Sequence, residues 1–221
     1  MLIFAPVVAK KKTPFSYVYT AKNKTVGSAS SFNFTSTAIS AAGATRIVLV
    51  GITFRDTTST GVTIGGVTAS RINTVSNSSG RQELWQAAVP TGTTATIAVS
   101  LAGSASYCAI QVWAIYGANS TPTNSNTGNA NNSAGPLTCS CTVANNGAIF
   151  AVMGSNGGGS GHTWTLPTEE TSSDELIDGN AYHSAASDTY ATGAAKTVSC
   201  SITGGTATDW LLLNAVAFEP A

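Results

Sequence analysis

Apolar residues alternate with Ser, Thr and Ala through segment after segment of this chain, and Gly- and Asn-rich turns separate the segments. A two-residue period of this kind gives each strand one buried and one wet face, and no helical stripe of period 3.6 competes with it. The pattern predicts an all-β chain built as an antiparallel β-sandwich. Residues 15–19 alternate aromatic and polar side chains behind Pro14, and 31–34 continue the opening sheet. Residues 46–54 form a continuous, β-branched run, the signature of a strand buried on both faces. Residues 62–64, Gly65-Gly66 and 67–75 read as a hairpin. Residues 83–89 and 95–100 flank the turn Pro90-Thr91-Gly92 and are expected to be antiparallel.

Residues 107–116 are apolar at nearly every position, which places that strand in the middle of a sheet. Residues 118–135 carry Asn, Ser and Thr with almost no apolar side chain and read as an exposed excursion. Beyond it, 137–143 alternate, Asn145-Asn146-Gly147 supplies turn chemistry, and 148–153 are a second run buried on both faces. Residues 154–161 read as a glycine-rich hairpin tip, 162–166 as a short strand, 169–178 as an acidic edge, and 196–202 and 210–218 as closing strands. The two halves rhyme weakly at a spacing of about 100 residues, too long for a solenoid repeat. The rhyme suits two sheets that each take a buried central strand from one half.

Composition sharpens this picture. Of 221 residues only 9% are charged, with ten Lys and Arg against ten Asp and Glu. A net charge of zero removes the long-range field that general nucleic-acid binding or attraction to an anionic membrane would use. Lys10, Lys11, Lys12, Lys22 and Lys24 are half of the cations, whereas eight of the ten acids lie between Glu169 and Glu219. Residues 1–24 therefore read as an extended N-terminal arm on a single sandwich domain, 25–221. The arm, with Phe4, Pro6 and the lysines Lys10, Lys11 and Lys12, is expected to order on a neighbouring subunit. Its apolar stretch precedes its lysines, the reverse of a secretory signal, so the segment reads as a mature terminus. No stretch approaches the roughly 20 apolar residues of a membrane-spanning helix, and no membrane role is expected. Cys108, Cys139, Cys141 and Cys200 lack zinc-site spacing and read as buried thiols, with a pairing of Cys139 or Cys141 to Cys200 left open.

Four stretches together carry a resemblance: residues 45–55 (TRIVLVGITFR), 62–67 (VTIGGV), 84–92 (LWQAAVPTG) and 113–117 (WAIYG). In order and spacing they are similar to a broad group of jelly-roll-like β-sandwich proteins of tailed bacteriophages. Residues 148–153, 162–164 and 210–220 extend the likeness over about four fifths of the chain. The resemblance implies a virion structural protein, serving as head decoration, spike or fibre, assembled in a bacterial host cytoplasm beside capsid, portal-proximal or tail subunits. A charge-poor surface suits packing against copies of the same chain, a trimer being one such form.

Catalytic chemistry finds little purchase. Only His162 and His183 can act as bases near neutral pH, and a glycan or ester hydrolase would have to use one of them. Gly158-Gly159-Ser160-Gly161 lacks the lysine and helix of a phosphate loop. Neighbouring acids such as Glu169-Glu170 face opposite sides of a strand and cannot flank one glycosidic bond. Asp174, Glu175, Asp178 and Asn180 fail the twelve-residue calcium pattern, so neither metal nor cofactor is expected. Glycan binding is the alternative function, with Trp164, His162, Asn180 and Tyr182 as candidate contacts where an aromatic face adjoins amide and hydroxyl groups. Trp85, Trp113 and Trp210 lie in strong strand patterns and are expected in the core.

Overall fold

A computed structural model describes residues 14–77, 79–157, 160–167, 175–179, 181–203 and 210–221. These form fifteen strands: β1 (Ser16–Ala38), β2 (Ile47–Arg55), β3 (Ser59–Ile64), β4 (Val67–Thr68), β5 (Ser70–Asn77), β6 (Gly80–Ala88), β7 (Thr94–Tyr116), β8 (Asn124–Ala130), β9 (Leu137–Val143), β10 (Gly147–Asn156), β11 (His162–Leu166), β12 (Glu175–Asp178), β13 (Ala181–Tyr190), β14 (Ala194–Ile202) and β15 (Trp210–Phe218). Among the described residues there is no helix long and apolar enough to cross a membrane.

The strands pair antiparallel in three sheets. One has seven strands in the order β4-β3-β7-β2-β6-β5 with β1 along β7, one has five in the order β12-β13-β10-β15-β8, and one has three in the order β11-β14-β9. The seven-stranded sheet folds over on itself. The first part of the 23-residue β7 pairs with β3 and with the end of β1, and its second part pairs with β2 and the start of β1. Register shifts in β1 between Val26 and Ala29 and between Ala29 and Ser31, together with Gly27 at φ +125°, mark where it bends. Such bulges concentrate the bend and the twist of a strand. The folded sheet encloses one core, with Phe32, Phe34, Ile64 and Ile97 on one side and Val50, Ile52, Ile110 and Val112 on the other.

The outer face of its second part meets the five-stranded sheet through Leu49, Leu84, Trp113, Phe150, Val216 and Phe218. The five-stranded sheet in turn buries Ile149, Met153, Leu211 and Leu213 against Cys141, Val198 and Trp164 of the three-stranded sheet. Four β layers are thus stacked, and the three central strands β2, β10 and β15 are buried on both faces. The all-β sandwich forms as the alternation predicts, and the facing middle sheets each take one central strand, β2 or β10, from either half.

Two segments depart from the sequence reading. The Asn-rich residues 124–130 are strand β8, the edge of the five-stranded sheet, in register with β15 from Asn124↔Ala217 to Ala130↔Leu211. A strand at an edge needs few apolar side chains, because the ladder rather than the core holds it. Residues 16–24, read both as an alternating strand at 15–19 and as the end of the arm, belong to β1 and pair with β7 from Ser16↔Tyr116 to Lys24↔Ala109. Tyr17 and Tyr19 fix them there, their rings 4.9 Å from Phe150 and 5.8 Å from Trp113 in edge-to-face contacts. Such pairs are worth about 0.5–1.5 kcal/mol beyond area burial.

Candidate functional site

Three of the four candidate glycan contacts lie on strands of the three-stranded and five-stranded sheets. His162 and Trp164 are carried by β11, and Tyr182 by β13; Asn180 lies outside the described residues. The His162 and Tyr182 rings are 6.4 Å apart, so part of the group does converge. It converges inward. His162 is 2% exposed and Trp164 8%. His162 Nε2 is 2.8 Å from Ser155 Oγ, its Nδ1 is 2.8 Å from Ser184 Oγ, and Trp164 Nε1 donates to the same Ser184 oxygen at 3.1 Å. An indole so enclosed presents no open face on which a sugar ring could stack.

The Ser155 and His162 contact has the spacing of a nucleophile and its base. Ser155, however, is 1% exposed, and His183 beside the group is equally buried. Desolvation, then the neighbouring His183, lowers the His162 pKa from 6.5 to about 3. Chemically the network is a neutral hydrogen-bonded pin joining β10, β11 and β13, which lie in two different layers.

Two further polar clusters were not legible in the sequence. Arg46, which directly precedes β2, is 1% exposed, and its guanidinium is received by carbonyl oxygens alone. Nε donates to Val89 O at 2.7 Å, Nη2 to Thr91 O at 2.6 Å, and Nη1 to Ile39, Ser40, Ala41 and Gly92 oxygens at 2.8–3.1 Å. Carbonyl dipoles here stand in for a carboxylate, and one side chain ties loop 39–41 to loop 89–92. Fully buried Glu83 in β6 accepts from Ser59 Oγ at 2.6 Å and Trp85 Nε1 at 2.7 Å, with Arg71 Nη1 3.4 Å from its other oxygen. An arginine at a strand start and a glutamate within an apolar alternation carry no signal of such partners.

Trp85, Trp113 and Trp210 are in the core as expected, and all four cysteines are free and buried. The docking-arm residues Phe4, Pro6, Lys10, Lys11 and Lys12 lie outside the described residues, as does Asp174 of the rejected calcium loop. Among the described residues no three His, Cys, Asp or Glu side chains are grouped so as to hold a metal ion.

What remains at the surface is strand β1. It runs 23 residues along one side of β7, pairs with no other strand among those described, and carries two of the three large apolar residues exposed among the described residues, Val18 at 40% and Val26 at 51%. Its start follows directly on the basic, apolar segment 1–13. No family model matches the chain, and no curated protein matches it.

Proposed function

We propose that this chain is a non-enzymatic structural component of a tailed-phage particle, carried on its surface and joined to neighbouring subunits through residues 1–13 and strand β1. The observation that carries the reading is the placement of β1. The segment richest in lysine feeds a strand that pairs with β7 alone among the described strands, and an edge strand of this kind is a template for strand addition by another chain. The resemblance of residues 45–55, 84–92 and 113–117 to phage sandwich proteins supplies the particle. The two potential bases, His162 and His183, are both buried, which favours a structural role over hydrolysis.

The exposed positions of β9, Thr138, Ser140 and Thr142, and Thr197 of β14 are short, neutral hydroxyl residues. Faces of this kind hydrogen-bond across an interface without burying charge, which supports a homo-oligomer.

Mass spectrometry of gradient-purified particles made by the genome that encodes the chain is expected to find it in stoichiometric amount. A variant lacking residues 1–13 is expected to fold but to remain in the unassembled fraction. Absence of the intact chain from particles would overturn the reading, as would full incorporation of the truncated form. Light scattering at low salt is expected to give a multiple of the 22.3 kDa chain mass, and a monomer at high concentration would remove the oligomer.

A further inference from the structure

The connection between β7 and β8 crosses from the seven-stranded to the five-stranded sheet, and hydrogen bonds hold it at each step. Gly117 N donates to Thr45 Oγ1 at 3.2 Å, Asn119 Nδ2 to Glu219 Oε1 at 2.7 Å, and Thr123 N to Ala217 O at 3.0 Å. Gln86 Nε2 reaches across from β6 to Ser120 O at 2.9 Å. Between this fixed strap and the edge formed by β5 and β6 lies a cleft of about 430 Å³, with Ser70, Ile72 and Gln86 on one wall and Thr121, Pro122 and Ser125 on the other. A smaller hollow of about 150 Å³ continues past Gln86, sharing Ser70 and Gln86 with the first and adding Thr68 and Ser120. The volume of the larger cleft lies within the range of small-molecule sites.

Two properties define what fits. First, the walls are almost without free charge. Arg71, the one ionic residue in the lining, has its guanidinium 3.4 Å from Glu83 Oε1 and 5.6 Å over the Trp85 ring. Second, hydroxyl residues Ser70, Thr121, Thr123 and Ser125 make up much of the lining, and hydroxyls both donate and accept.

We propose that this cleft binds a neutral oligosaccharide, with sugar hydroxyls paired to Ser70, Thr121 and Ser125 and the apolar face of a ring lying on Ile72 and Pro122. Sugar hydroxyls match walls that both donate and accept, whereas the one cation an acidic glycan or nucleotide would meet, Arg71, already faces Glu83. The site shares no lining residue with the Trp164 group and does not depend on the particle reading.

The test is an array of neutral hexose and N-acetylhexosamine oligosaccharides with uronic-acid counterparts, followed by calorimetric titration of the best ligand. Retention of a neutral oligosaccharide is expected. Ser70→Trp and Ser125→Trp, both at exposed positions lining the cleft, are each expected to weaken binding at least tenfold. Thr163→Trp, exposed on the three-stranded sheet, is expected to bind as the parent does. Two filling variants are used so that misfolding of one, read from its urea midpoint, leaves the other as the test. The proposal is overturned if no neutral oligosaccharide is retained, if only acidic glycans or extended peptides are, or if the filled cleft binds as well as the open one.

Discussion

Gly51 and Val152 bring the two middle sheets of the molecule into close contact: a Cβ built on Gly51 would lie 2.4 Å from Val152 Cγ1. Both residues sit at the centre of strands buried on both faces, one from each half of the chain. The glycine is there because a methyl group would hold the sheets apart. Valine is stiff about χ1 and cannot swing aside cheaply. Gly51→Ala is therefore expected to destabilise the fold by about 1–3 kcal/mol, the usual cost of overpacking a close-packed core. Urea unfolding should show a lower midpoint at unchanged slope. Adding Val152→Ala to that variant should recover part of the loss, and a double variant no better than the sum of the singles would place the strain elsewhere.

Arg46 predicts a larger effect. Its six hydrogen bonds join loops 39–41 and 89–92, so removing the guanidinium leaves several buried carbonyls without donors. Arg46→Met is expected to cost at least about 3 kcal/mol, since each buried group left unpaired costs about 1–3 kcal/mol. Arg46→Lys should rescue little of it, because one ammonium cannot span the positions that the planar fork reaches. Hydrogen exchange should locate the loosening in the amides of Ile39 and Gly43, which bond to Thr93 O and Pro90 O across the same two loops. Equal stability of the lysine variant and the parent would contradict this account.

The strands that the sequence announced are those in which burial dictates composition. Residues 46–54 and 148–153 are apolar at nearly every position because both their faces are covered, and they emerge as β2 and β10. β8 was hidden because an edge strand buries little: its backbone makes the same ladder with Asn and Ser side chains as it would with valines. β13 was missed for a related reason. Ala185, Ala186 and Ser187 are buried but small or polar, so close packing of layers leaves no hydrophobic stripe to read. The Arg46 and Glu83 clusters were illegible because their partners lie in other strands or in backbone carbonyls. His162 and Tyr182 were legible as candidate contacts, but not that His162 and Trp164 would face inward, since alternation does not tell which side of a strand the next layer covers.

The cysteines predict a chemical silence. Burial pushes the Cys139 thiol up to about 11 and, with the neighbouring Cys139, the Cys141 thiol up to about 12; Cys108 is raised further by burial and by Glu83. The thiolate is the reactive form, so at neutral pH the folded chain offers almost none. A chromogenic disulfide reagent is expected to titrate less than one thiol per chain under native conditions and four in urea. Fast reaction of the native protein would mean that the three-stranded sheet opens readily over its core.

Acid should find the weak point of the stack at His162. In the folded chain its pKa is lowered from 6.5 to about 3 by burial first and by His183 second, so the native state keeps it neutral while the unfolded chain takes up a proton. The unfolded state binds more protons throughout that interval, and stability therefore falls as pH falls from about 6.5 towards 3. The slope contributed is roughly 1.4 kcal/mol per pH unit when one proton separates the states. Protonation would also force an imidazolium against Ser155, Ser184 and Trp164, none of which carries a compensating charge. Urea midpoints measured from pH 7.5 to pH 4 should decline for the parent. His162→Gln should start lower, for want of the full set of hydrogen bonds, and then decline less steeply. Parallel curves for the two proteins would assign the acid sensitivity to other groups and leave the pin between β10, β11 and β13 a purely neutral one.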